Sequence, residues 1–187
     1  MTEQSNHIPS ENDLIQGCIE ENSQMQRWLY DRFSSKMYGV CLRYAGNTED
    51  ANDILQEGFI KVFKNISKFR KEGSFEGWIR RIFVNTAIEQ FRKKIKVYNV
   101  TEVQENTIED KELDVLDILA AKDIVKIVNE LSPGYKAVFN LHVVEGYSHK
   151  EIADLLGITE GTSKSQLARA KGVLKKLVET RLKTNRK

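Results

Sequence analysis

Ser148, Gly157 and Thr159 punctuate this chain more tightly than any other stretch, and between them they admit only one kind of local structure. Ser148 followed three residues later by Glu151 is a capping box: the serine hydroxyl accepts the Glu151 amide proton and the glutamate reaches back to the serine amide. A helix is therefore predicted to start at His149, with Ile152, Ala153, Leu155 and Leu156 on one face. Gly157 can take the left-handed conformation that ends a helix, so this one runs only about two turns. Ile158 is an apolar plug, and Thr159 caps a longer helix predicted over 160–182. On it Ser163, Leu167, Ala170, Leu174 and Leu177 recur at steps of four, three, four and three, which defines the inward stripe. The opposite face carries Thr162, Lys164, Ser165, Arg169, Lys171, Lys175 and Lys176, residue types that reach phosphates and base edges.

A short helix, a tight turn and a longer helix with small polar and basic residues near its start is the helix-turn-helix arrangement, whose second helix enters the major groove. Residues 158–187 hold nine Lys or Arg against two Glu, an excess that suits counterion release from a polyanion. Shape alone fits a DNA reader and a helical hairpin with a solvated basic face equally well. Cap, turn and basic face in one register favour DNA.

Only two prolines among 187 residues, with 40% hydrophobic content and many Leu, Ile, Lys and Glu, point to an all-α protein with ordinary cores. The net charge of +2 hides local asymmetry. Cys18 and Cys41 form no Cys-x-x-Cys pair, and His7, His142 and His149 make no ligand spacing with them. Neither metal nor cofactor is expected, and both cysteines read as reduced core thiols. No apolar run follows a basic start, and no stretch has the apolar length that spans a bilayer. A cytoplasmic chain without membrane insertion is expected.

From the start, the first residues read as disordered, and Ser10 caps a short amphipathic helix carrying Leu14, Ile15, Cys18 and Ile19. Ser23 precedes a long helix with Met25, Trp28, Leu29, Phe33, Met37, Val40, Cys41 and Tyr44 on one stripe, ended by Gly46 and Asn47. Thr48 is read as the cap of a third helix, acidic early (Glu49, Asp50, Asp53, Glu57) and basic late (Lys61, Lys64). Such an order favours the helix dipole, which by itself explains part of the pattern. A polar loop, 65–74, precedes a fourth helix over 75–96 with Ser74 as cap and the stripe Phe75, Trp78, Ile79, Ile82, Phe83, Ala87 and Phe91. Residues 61–96 hold eleven basic and three acidic side chains. Two basic surfaces separated by an acidic segment suggest one long polyanion touched twice.

That acidic segment, 101–123, has eight acidic and two basic residues, and 97–114 reads as a linker between two helical domains. Leu116, Ile118, Leu119, Ile124, Val125, Ile127, Val128 and Leu131 build the next helix. Ser132-Pro133 then opens another, with Ala137, Val138, Leu141 and Val144 inward. The expected architecture is a domain over 1–96, the linker 97–114, and a four-helix module over 115–187 that ends in the helix-turn-helix. No internal repeat or glycine-rich phosphate loop is present.

Three stretches resemble the bacterial RNA polymerase sigma factors of the extracytoplasmic-function type. Residues 50–63, beginning Asp50-Ala51-Asn52-Asp53, are similar to that family's core-polymerase contact. Residues 75–92, with Gly77-Trp78-Ile79-Arg80-Arg81, are similar to its helix for the minus-ten promoter element. Residues 145–171 are similar to its reader of the minus-thirty-five element. The resemblance implies a non-catalytic subunit whose partners are RNA polymerase core, through the clamp helices of its largest subunit and its flap, and promoter DNA. It also implies an anti-sigma protein that occludes both domains.

Carried over by position, Asp50, Asp53, Gln56 and Glu57 would face the clamp helices. Asn85 and Arg92 would lie near the separated minus-ten strands, with loop 65–74 capturing an unstacked base. Lys164, Ser165 and Arg169 would make base and phosphate contacts, with Thr162 near the DNA backbone and Lys171 also at the DNA. Arg80 and Arg81 suit a helix-surface ion pair as well as DNA. Ser163 stands where many relatives have valine, Gln166 where many have arginine, and Glu89-Gln90 where aspartate and an aromatic are common. A stand-alone repressor or activator would share the helix-turn-helix but bind its site without polymerase. A DNA recombinase would need strands and a nucleophile constellation, where the first hundred residues offer only helices.

Overall fold

The structure, a computed structural model, describes residues 9–98 and 127–184. The described residues are helical with no strand. Contacts divide the chain into two compact units, Met1–Ala87 and Ile88–Lys187.

In the first unit α1 (Glu11–Ile19) opens with a full capping box, in which Ser10 Oγ accepts from the Asp13 amide and the Asp13 carboxylate accepts from the Ser10 amide. Helix α2 (Ser23–Tyr44) is capped by Asn22, whose side chain accepts from the amides of Gln24 and Met25. Helix α3 (Thr48–Asn65) is capped by Asn47, which accepts from the Asp50 amide at 2.8 Å. The caps thus fall one residue earlier than Ser23 and Thr48. Asparagine and the hydroxyl residues are comparable caps, and the backbone geometry decides between neighbours. A 3₁₀ turn (Ile66–Lys68) comes next, then the polar loop, then α4 (Phe75–Tyr98).

The core of this unit is an aromatic seam. Phe33 meets Phe75 edge-on at 5.8 Å, Phe59 meets Phe83 edge-on at 5.1 Å, and Tyr30 lies against Phe59 at 4.6 Å. Such pairs add to the burial of their area. Helix α4 reaches α3 where Gly58 lacks a side chain: a Cβ there would come within 2.3 Å of Phe83 Cε1. Phe75, Ile79, Phe83 and Ala87 are buried as the stripe predicts, joined by Val84 and Ile88. Burial along α4 is therefore wider than one stripe, because α4 is covered on more than one side.

In the second unit residues 127–129 are helical and Ile127, Val128 and Leu131 are buried. The linker and the rest of the helix expected from Leu116 lie outside the described residues. Helix α5 (Pro133–Phe139) has proline in its first turn, and its N-cap Ser132 makes no side-chain hydrogen bond, so that start rests on the proline. It runs into a π-helical turn (Asn140–Val144), in which the Glu145 amide reaches the Asn140 carbonyl. The wider turn shifts the register of the residues C-terminal to it. Val144, expected inward, is instead 43% exposed, while Ala137, Val138 and Leu141 are buried.

Helix α6 (His149–Leu156) carries the predicted capping box, with Ser148 Oγ and the Glu151 carboxylate each accepting from the other residue's amide. Gly157 ends it at φ 69°. Thr159 Oγ1 accepts from the Thr162 amide and opens α7 (Glu160–Thr184). The buried stripe of α7 is Ser163, Leu167, Ala170, Leu174 and Val178. Leu177, expected inward, is only half-buried. At 3.6 residues per turn Val178 continues the line from Leu167 and Leu174 better than Leu177 does.

Candidate nucleic-acid interface

Helical geometry sorts the candidate residues of α7 into two sets. At 3.6 residues per turn, Thr162, Ser165, Arg169 and Lys176 share the face opposite the buried stripe, whereas Lys164, Lys171 and Lys175 run along one flank. The sequence pattern alone places all of them on one face. Ser165 and Lys164 are exposed; Thr162, Arg169 and Lys171 are half-buried, their outer atoms in water. Lys164 Nζ lies 2.8 Å from Glu160 one turn earlier, and that lysine holds the Glu160 carboxyl below its ordinary range. Both side chains are at least half exposed, so the pair is weak and yields readily to a phosphate.

The flank faces α6. His149 Nδ1 lies 2.9 Å from Ser163 Oγ, and the His149 ring stacks on His142 with centroids 4.4 Å apart and planes 15° from parallel. In the sequence Ser163 is one more member of the stripe and His149 a helix start. The signal for more is the serine itself, since a hydroxyl in a buried stripe needs a partner.

Desolvation first, then the neighbouring His142, Lys164 and Lys171, push the His149 pKa below 6.5, with Glu160 pulling the other way. The unfolded chain therefore protonates this ring before the folded one does. Stability that depends on the neutral ring is complete above about pH 6.5 and is lost as pH falls from there through the folded value. Thermal melts of the second unit should therefore shift down as pH falls below about 6.5, and His149→Phe should flatten the shift. A melt with the same pH dependence in that variant would show that other groups cause it.

Along α4, which runs past the end of the first unit at Ala87, Arg81, Asn85 and Arg92 fall on one stripe. Asn85 is half-buried and the two arginines are exposed; Arg80 is half-buried on an adjoining face. The loop before α4 is held by Phe69, which packs against Phe75 at 5.1 Å and Trp78 at 5.6 Å. Lys71 adopts φ 59° and its Nζ donates to Asn12 Oδ1 at 2.9 Å. Its neighbours Lys68 and Arg70 remain exposed. A loop fixed at its apolar residue and open at its polar ones can present side chains without folding around them.

Helix α3 turns Asp53, Gln56 and Glu57 outward on one side, with Asp50 half-buried beside them. Ala51, Ile54, Leu55, Gly58, Phe59 and Val62 face the core from the other. Glu57, itself exposed, lies 3.6 Å from the half-buried Lys61 one turn later. Asp53, Gln56 and Glu57 thus stand exposed on the outer side of α3. Cys18 and Cys41 are free and buried; burial pushes Cys18 up to about 11 and Cys41 to about 12, so both remain protonated thiols. Among the described residues no group of three or more His, Cys, Asp or Glu could hold a metal ion. Among them, too, no helix is long and apolar enough to cross a membrane.

These features define a two-unit helical protein with a helix-turn-helix in the second unit, an acidic face on α3 and a basic stripe along α4. The sigma-70 region 2 family matches residues 29–96, and the sigma-70 region 4 family matches residues 121–174. The chain belongs to the RNA polymerase sigma factors, in the extracytoplasmic-function group. It is 29% identical over 162 residues to ECF RNA polymerase sigma factor SigE of Mycolicibacterium smegmatis, a match covering 83% of this chain and 63% of that one. It is 29% identical to ECF RNA polymerase sigma factor SigW of Bacillus subtilis, over 79% of this chain and 86% of the relative. It is 28% identical to ECF RNA polymerase sigma-E factor of Haemophilus influenzae, over 89% and 94%. Among solved structures, the sigma factor RpoE in complex with the anti-sigma factor NepR from Bartonella quintana is similar at 20% identity and a TM-score of 0.49. That similarity covers 82% of this chain and 96% of the other.

Proposed function

We infer that this protein is the specificity subunit of RNA polymerase for a set of promoters: it binds the core enzyme, directs it to those promoters and leaves the chemistry to its partner. The observation that carries this is the occurrence of sigma-70 regions 2 and 4 in one chain, in that order. We assign the domains as 1–96, a linker 97–114, and 115–187. Asp50, Asp53, Gln56 and Glu57 take the basic side of the polymerase clamp helices, where opposite charges speed encounter and fix register. Asn85 and Arg92 meet the minus-ten strands, and the loop held by Phe69 takes an extruded base, offsetting a few kcal/mol of lost stacking. Thr162, Ser165 and Arg169 read the minus-thirty-five duplex, with Lys164 and Lys171 on its phosphates. The flap of the core enzyme supports the second domain. An anti-sigma protein that covers both domains is the partner expected to hold the chain inactive.

Mixing the purified chain with core enzyme that lacks any specificity subunit should yield run-off transcripts from a subset of a genomic promoter library. The two should also co-elute in gel filtration. Site-specific DNA binding by the chain alone, with no association with core and no new transcript starts, would instead make it a stand-alone regulator.

A further inference from the structure

Ser163 is fully buried in a stripe whose other members, Leu167, Ala170, Leu174 and Val178, are apolar. A hydroxyl withdrawn from water costs stability unless it is hydrogen-bonded, and His149 Nδ1 at 2.9 Å supplies the bond. The His149 ring is itself held. His142 stacks on it, and His142 Nδ1 lies 2.8 Å from the Tyr147 carbonyl. A carbonyl oxygen only accepts, so that nitrogen carries the proton. Contacts therefore run without a gap from the Tyr147 backbone through two imidazoles to Ser163, tying together the π-helical turn, α6 and the recognition helix α7.

We propose that His149 is a positioning residue for promoter readout: through the Ser163 hydroxyl it fixes the rotation and depth of the recognition helix, with His142 holding its ring in place. The proposal rests on the reading of this chain as a sigma factor. The rest of the stripe binds α7 by apolar contact, which is non-directional and tolerates small rotations. A hydrogen bond does not, because it weakens steeply as its angle departs from linear. Ser163 lies in the first turns of α7, between Thr162 and Lys164 and within two turns of Ser165 and Arg169. Any rotation there passes directly to the side chains that meet DNA. Productive recognition holds its groups within about 0.5 Å and 10–20°, and the partners that lock them set how well that is met.

The test uses the full chain with core polymerase and a promoter library randomised in the upstream element, with transcripts counted by sequencing. The readout is the ratio of transcript from the preferred element to transcript from its single-base variants. His149→Phe keeps a ring to stack on His142 and removes the nitrogen; Ser163→Ala removes the hydroxyl. Each should lower the ratio by about three- to tenfold, the range of one net hydrogen bond. The double variant should fall no further than either alone, since both remove one interaction. Assays run below each variant's melting transition, and partial unfolding lowers all transcripts together without moving the ratio. Single variants that lose total transcript but keep the ratio would overturn the proposal, as would losses that multiply in the double variant. If the unmutated chain prefers no upstream sequence, the sigma-factor reading itself falls, and that outcome is seen before any variant is made.

Discussion

Replacing Lys164 and Arg169 together with alanine is expected to abolish promoter selection while leaving association with core polymerase intact. The two residues occupy different sides of the exposed surface of α7, so their contributions differ in kind. Arg169 shares its face with Thr162 and Ser165, where a guanidinium reaches a base edge; a bidentate pair with guanine contributes about 1–3 kcal/mol of discrimination. Lys164 lies on the flank, where it exchanges its surface partner Glu160 for a phosphate. Its loss should weaken binding for all sequences alike and reduce the salt slope by about one. Arg169→Ala alone should therefore flatten the sequence preference at one or two positions, and Lys164→Ala alone should lower transcript from every template. Core binding is assigned to α3, far along the chain from both. Gel filtration of the double variant with core enzyme separates the two roles, and loss of the complex would contradict the division of labour.

Phe83→Ala should carry the largest structural penalty in the first unit. The ring is fully buried, sits directly over Gly58 and meets Phe59 edge-on. Truncation of a buried phenylalanine costs about 3–5 kcal/mol, because the surroundings collapse only partly into the space it leaves. Domains of this size have total stabilities of about 5–15 kcal/mol, so much of the unit's stability would go. Gly58→Val attacks the same contact from the other side by pushing carbon into the space the ring occupies, and overpacking of that kind costs about 1–3 kcal/mol or more. Hydrogen exchange is the informative measurement. Amides of α2, α3 and α4 should lose protection in Phe83→Ala while those of α7 keep it. Equal loss in both units would mean that they fold as one cooperative body.

Local chemistry carried much of the sequence reading into the structure, although the caps at the starts of α2 and α3 fall on Asn22 and Asn47, one residue earlier than read. The cap at Ser10, the capping box at Ser148, the glycine stop at Gly157 and the Thr159 restart appear where the residues call for them. Each is decided by side chains reaching neighbouring backbone amides, or by the one residue type that tolerates φ > 0. The candidate interface was legible to the same extent. Residue types that reach phosphates and bases were visible on α7, but their division into an outer face and a flank was not. That division depends on the exact phase of the buried stripe, which Val178 rather than Leu177 completes.

The sequence by itself determined an all-α chain, the start and stop of the two-helix reader, and the order of acidic and basic surfaces along it. Those come from short-range hydrogen bonding, apolar periodicity and charge. Only the tertiary structure decided that Val144 turns outward, that Gly58 receives Phe83, and that Ser163 finds His149. Each of these depends on which distant segment comes to lie against a residue. A π-helical turn, a bare Cα under a ring and a buried hydroxyl with its partner are properties of pairs of segments, and a linear pattern records only one member of each pair.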